Sequence, residues 1–172
     1  MNTSNIYQFT VNKINGETVP LSQYSNKVLL IVNTASQCGF TPQLQDLAEL
    51  KTIFADTDFE VLAFPSNDFG QQEPLDGAAI EAFCHNYGTN FNVFEKMRVR
   101  GPHAHPLYKF LADKKANGKV NAKPRWNFHK YLIDKEGRVI DFFYPFTKPT
   151  SSKIKKKIQR LLAAGADKVT NK

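Results

Sequence analysis

Cysteine is scarce. The 172 residues hold two, Cys38 and Cys84. Two are too few for a disulfide scaffold at this length, and neither sits in a Cys-x-x-Cys pair. The four histidines do not supply a structural zinc site, which needs about four ligands at defined spacing. His103-x-His105 brings two imidazoles without a third ligand, so no metal is expected. Long apolar runs are missing too. The longest is Val28–Val32, far short of the roughly 18 residues that suggest a membrane span. Met1-Asn2-Thr3-Ser4-Asn5 lacks a basic stretch followed by an apolar one, so no secretory leader is expected. Reduced thiols and a cytoplasmic location follow as expectations.

Basic residues are rare in the first half. Residues 1–86 carry 3 Lys/Arg against 10 Asp/Glu, whereas residues 87–172 carry 20 against 6, for a net charge of +7. Such asymmetry fits a nucleic-acid partner or a solvated basic face. No recognised nucleic-acid motif or aromatic array accompanies it, so no nucleic acid is expected. The rest is ordinary: 41% hydrophobic and 23% charged residues describe a globular chain. One domain spanning residues 1–172 is expected, large enough to bury a core without staples.

Along the chain, strand and helix signals alternate. Ile6–Val11 and Glu17–Val19 flank Asn15-Gly16, a two-residue hairpin signal. Lys27–Asn33 and Phe59–Phe64 are continuous branched and aromatic runs, the pattern of strands buried on both faces. Between them, Leu44, Leu47, Leu50 and Phe54 recur at near-helical spacing over Pro42–Phe54, giving a strand-helix-strand unit. Asp76 reads as the N-cap of a helix to Tyr87 with Ile80, Phe83 and Cys84 on its apolar face. A helix is expected over His105–Lys114. Strands are expected at Lys130–Asp134 and Arg138–Phe143 around Glu136-Gly137. Ser151 caps a last helix whose Ile154, Ile158, Leu161 and Leu162 face inward while Lys155–Lys157 mostly face water. The order predicts an α/β, thioredoxin-like fold: a central mixed sheet flanked by helices, with an N-terminal β-hairpin.

Cys38 falls at the carboxyl end of the first buried strand, just before a helix with Pro42 in its first turn. Reactive groups in α/β sheets gather there, and a helix N-terminus favours a thiolate. The surrounding segment, Asn33-Thr-Ala-Ser-Gln-Cys38-Gly-Phe-Thr-Pro-Gln43, resembles the active-site motif of the glutathione peroxidase family. Phe64-Pro-Ser-Asn-Asp-Phe-Gly-Gln-Gln72-Glu-Pro74 resembles its second motif, and Trp126-Asn127-Phe128-His-Lys130 its third. Order and spacing match over about residues 6–162.

The resemblance implies a peroxidase whose catalytic residues are Cys38, Gln72, Trp126 and Asn127. Their chemistry agrees with those roles: a thiolate attacks peroxide oxygen, and amide and indole N–H groups donate to the leaving oxygen without a competing charge. Two departures stand out. Ser66 replaces a frequent Cys. Asp68 replaces a frequent Gln and brings a negative charge near the expected site, where it would oppose thiolate formation. No selenium and no cofactor are implied.

Phe83-Cys84-His-Asn-Tyr87 resembles the region that carries the resolving cysteine of thioredoxin-dependent members, with Asn92 where Pro is usual. That implies a Cys38–Cys84 disulfide recycled by thioredoxin. The alternative readings are direct reduction by glutathione, a peroxide sensor relaying oxidation to a partner, and Cys84 as a packed core residue. Arg98, Arg100, Lys123 and Arg125 suit glutathione carboxylates, an acidic thioredoxin or solvent alike. The short Gly101–Trp126 segment resembles monomeric, thioredoxin-dependent members.

Overall fold

The computed structural model describes residues 4–170. Five strands form one mixed sheet in the order β5 (Asn92–Val93), β4 (Phe59–Pro65), β3 (Val28–Thr34), β6 (Lys130–Ile133), β7 (Val139–Phe143). Strands β3, β4 and β5 run parallel, and β6 and β7 run antiparallel to their neighbours. Every residue of β3 is buried. Its alternation divides the core. Leu29 and Ile31 face one layer, with Leu62, Phe64, Tyr131 and Leu107. Val28, Leu30 and Val32 face the other, with Leu44, Leu47, Ile80 and Ile158. Helices α1 (Gln43–Ile53), α2 (Gly77–His85) and α5 (Ser152–Thr170) contribute to the second layer, and α3 (Pro106–Ala112) to the first. Each fully buried aliphatic side chain is worth about 1.5–3 kcal/mol, so this two-sided burial carries the fold.

The hairpin β1 (Thr10–Asn12) and β2 (Thr18–Pro20) pairs in its own small sheet. Its loop differs from the expected two-residue turn. Lys13 donates its N–H to the Glu17 carbonyl, leaving the three residues Ile14, Asn15 and Gly16, with Gly16 left-handed at φ 88°. A three-residue loop ending in a left-handed glycine is the next most favoured hairpin connection. Ile6–Gln8 is a 3₁₀ turn rather than strand, because the Asn5 side chain accepts from the Tyr7 N–H. The hairpin docks on the main sheet through the Glu95 N–H to Asn12 carbonyl bond.

Three helical expectations change in detail. Asp76 occupies the N-cap position of α2 in extended backbone, but its carboxylate pairs with Lys96 at 2.9 Å instead of capping. The helix over His105–Lys114 stops at Ala112, and Asp113 caps a separate turn, α4 (Lys114–Asn117). Lys157, expected to face water, is half-buried and pairs with Asp141. Among the described residues no helix is long and apolar enough to cross a membrane.

Candidate active site

Strand direction brings three segments to one sheet edge. β3 and β4 run parallel and end side by side at Thr34 and Pro65, while antiparallel β6 begins there, Lys130 opposite Val32. The loops after β3 and β4 and the segment before β6 therefore meet. They carry Cys38, Gln72, and Trp126 with Asn127.

Cys38 is 8% exposed and its thiol is unlinked. It lies one turn ahead of α1 rather than against its first residue. The loop is closed by Thr41, whose hydroxyl accepts from the Cys38 N–H at 2.9 Å and donates to the Ala35 carbonyl at 2.8 Å. The Phe40 N–H points at the Cys38 sulfur, 3.4 Å away.

Gln72 is tied to this loop through backbone: the Gln37 N–H donates to the Gln72 carbonyl at 2.9 Å. Its side-chain oxygen accepts from Asn127 Nδ2 at 3.0 Å. Asn127 is fully buried, and its own Oδ1 finds no partner among the described residues. Trp126 is 36% exposed and rests beside Phe69, ring centres 6.0 Å apart. Its carbonyl accepts from Asn33 Nδ2 at 3.0 Å. Gln72, Trp126 and Asn127 are thus brought together beside the Cys38 loop. Among the described residues no group of three His, Cys, Asp or Glu is placed to hold a metal.

Asp68 is tied to the segment that follows β5. Its carboxylate pairs with Arg98 Nε at 3.0 Å and accepts from the Val99 N–H at 2.7 Å and the Arg100 N–H at 3.3 Å. The charge is consumed in anchoring that segment. Arg100 in turn lies over the Phe69 ring, 4.6 Å from its centre.

Cys84 shares the buried layer of Cys38 and is 5% exposed on α2. Burial, reinforced by the Glu73 charge, pushes its thiol up to about 11. Glu73 itself escaped the sequence reading. It is 3% exposed, accepts from the Ser36 hydroxyl, and burial raises its carboxyl above the usual range. Lys130, the end of the third motif, is fully buried as well. The available signals were an acid directly after Gln72 and a lysine heading an otherwise apolar strand.

A family model described as glutathione peroxidase matches residues 6–112. A glutathione peroxidase of Lactococcus lactis is 45% identical over 159 residues, covering 92% of this chain and 99% of the relative. The hydroperoxy fatty acid reductase gpx1 of Synechocystis is 46% identical, covering 91% and 95%. Among solved structures, apo Trgpx superposes with a TM-score of 0.73 at 37% identity over 94% of this chain and 97% of that one. A thioredoxin-family thiol:disulfide interchange protein from Chlorobium tepidum, 13% identical with a TM-score of 0.65 over 94% of this chain and 98% of that one, shares the fold. The thioredoxin-like architecture, the converging motifs and these likenesses agree, and the chain belongs to the glutathione peroxidase family of peroxidase enzymes.

Proposed function

We propose that this chain, acting as a single domain, reduces hydrogen peroxide and organic hydroperoxides through the Cys38 thiolate. The sulfur attacks the terminal peroxide oxygen and the O–O bond breaks. Cys38 becomes a sulfenic acid, and the other oxygen leaves as alkoxide or hydroxide and takes up a proton. Sulfur loses two electrons and peroxide gains two. Gln72, Asn127 and Trp126 supply N–H donors that orient the peroxide and meet the charge on the leaving oxygen. The observation that carries this reading is the Asn127 to Gln72 hydrogen bond beside the Cys38 loop. The Synechocystis relative's name, hydroperoxy fatty acid reductase, supports an organic peroxide as substrate.

In the second half-reaction the Cys84 thiol attacks the sulfenic sulfur. The S–O bond breaks, water leaves, and a Cys38–Cys84 disulfide forms for thioredoxin to reduce. The protein works without a cofactor, as a monomer in the cytoplasm. The shared buried layer of the two cysteines supports the pairing. One observation favours the glutathione alternative: Lys123 and Arg125 line a cavity of about 380 Å³ with Tyr144, adjoining Trp126 in the chain.

Steady-state turnover with thioredoxin and with glutathione, run in parallel on wild type, Cys38→Ser and Cys84→Ser, tests both halves. Cys38→Ser is expected to be inactive with either reductant. Cys84→Ser is expected to consume one equivalent of peroxide and then stall with thioredoxin. Wild-type activity in Cys38→Ser would sink the reaction scheme. Full thioredoxin turnover by Cys84→Ser would leave Cys84 a core residue. A stoichiometric single oxidation with neither reductant able to recycle wild type would favour a sensor.

A further inference from the structure

Lys130 is a charged group, fully buried, that peroxide chemistry does not use. It opens β6 at the edge where the site segments meet. Its Nζ donates to the Phe128 carbonyl at 2.8 Å and to the Pro145 carbonyl at 3.2 Å. Gln43, the first residue of α1, donates to the same Pro145 carbonyl at 2.6 Å. The ammonium therefore joins the third motif to the segment after β7, and through it to the helix that follows Cys38.

An ammonium held by carbonyls rather than a carboxylate costs free energy that a methionine of similar shape would not. What the charge secures is visible next door. Phe128 has φ 68°, a left-handed conformation that an aromatic residue rarely adopts. Its N–H donates to the Asn33 carbonyl at 2.6 Å, and its carbonyl receives the Lys130 ammonium. A residue pinned at both its amide and its carbonyl fixes the direction of its predecessor, Asn127, whose amide reaches Gln72.

We propose that Lys130 is a positioning residue for peroxide reduction, clamping the Phe128 carbonyl so that Asn127 and Gln72 present their amides in the reactive arrangement. The proposal rests on the role given to Asn127 above. Charge assistance matters because bonds from an ammonium are roughly twice as strong as neutral ones. Burial pulls the Lys130 amine down to about 7, while Asp46 of α1 favours its charge. The other titratable groups near it are the imidazole of His129, beside it in the chain, and, past Phe143, Lys153 and Lys157, the latter paired with Asp141.

The test is a double-mutant cycle on the rate of oxidation of reduced protein by hydrogen peroxide. Stopped-flow emission of Trp126, the sole tryptophan, reports the reaction. Lys130→Met is expected to slow oxidation about tenfold or more, the scale of a small misplacement. Because Lys130 acts through Asn127, Lys130→Met with Asn127→Ala is expected to be no slower than Asn127→Ala alone. Additive losses, or a wild-type rate in folded Lys130→Met, overturn the proposal. An Asn127→Ala variant as fast as wild type fails at the earlier step, the role of Asn127, and takes this one with it. Should Lys130→Met not melt cooperatively, Lys130→Arg decides. The wild-type rate, divided by the separately measured thiolate fraction, is expected to fall as pH passes about 7, and Lys130→Arg to show no such fall because a guanidinium stays charged. Superimposable profiles overturn the proposal.

Discussion

A Cβ on Gly70 would sit 3.2 Å from Cη2 of Trp126 and 3.5 Å from Cγ of Gln72. Gly70 also has φ 62°, a conformation that costs other residues about 1–2 kcal/mol. The glycine thus lets the indole and the amide come close above the loop. Gly70→Ala is expected to slow Cys38 oxidation about tenfold with the thiol count unchanged, since the added methyl crowds the indole and strains a left-handed backbone beside Gln72. A wild-type rate, measured by stopped flow, would show that Trp126 and Gln72 tolerate the shift. Gln72→Ala and Asn127→Ala are each expected to slow the same step by about 100-fold, as removal of a preorganised donor does. Unchanged rates in both would make the pair structural. At this scale the gathering of Gln72, Trp126 and Asn127 was legible because three short motifs stand in a set order. Glu73 and Lys130 were not, because burial of a charged side chain depends on partners distant in sequence: Ser36 for one, Pro145 for the other. The partners of Asp68 were hidden for the same reason, Arg98 and Val99 lying about 30 residues away.

Strand β6 shows what an element adds. His129, just before it, is fully buried against Tyr131, Phe142 and Tyr144, and neither ring nitrogen finds a partner among the described residues. Burial, with Lys130 beside it, pulls its pKa from 6.5 to about 4. The unfolded chain therefore binds more protons than the folded one between those values, and stability rises with pH across that window. Above pH 6.5 the contribution is fully present, and it is lost as pH falls toward 4. The shift corresponds to about 3 kcal/mol. Urea midpoints at pH 7 and pH 4.5 are expected to differ less in His129→Phe than in wild type. Equal differences would place the acid sensitivity elsewhere. The elements themselves were legible where burial is two-sided, as in Val28–Thr34 and Phe59–Pro65. β5 was not, because two residues pairing at Leu62 and Ala63 leave no periodicity to read.

Over the whole molecule, stability is distributed unevenly. The central strands β3, β4 and β6 are buried almost throughout, whereas α2 buries only Ile80 and Cys84 among its nine residues and is followed by left-handed Gly88. An element with so little buried surface opens at lower cost than the core. The alternation of strand and helix foretold the fold, but not this imbalance, which emerges only when burial is summed over neighbours. It matters because Cys84 lies within α2, its thiol pushed up to about 11 by burial and by Glu73. Opening the helix would return the thiol toward 9.0, raising its thiolate fraction at neutral pH by about 100-fold. Reactivity at Cys84 is thereby coupled to local unfolding. In Cys38→Ser, where Cys84 is the remaining cysteine, iodoacetamide labelling at pH 8 is expected to run about 100-fold slower than in an unfolded peptide. Amide exchange over Gly77–His85 is expected to be faster than over Val28–Thr34, and the labelling rate is expected to rise in urea well below the global midpoint. Labelling at the peptide rate in buffer would mean the thiol is already released. Labelling that rises only with global unfolding would tie α2 to the core and remove local opening as a route for the proposed attack of Cys84.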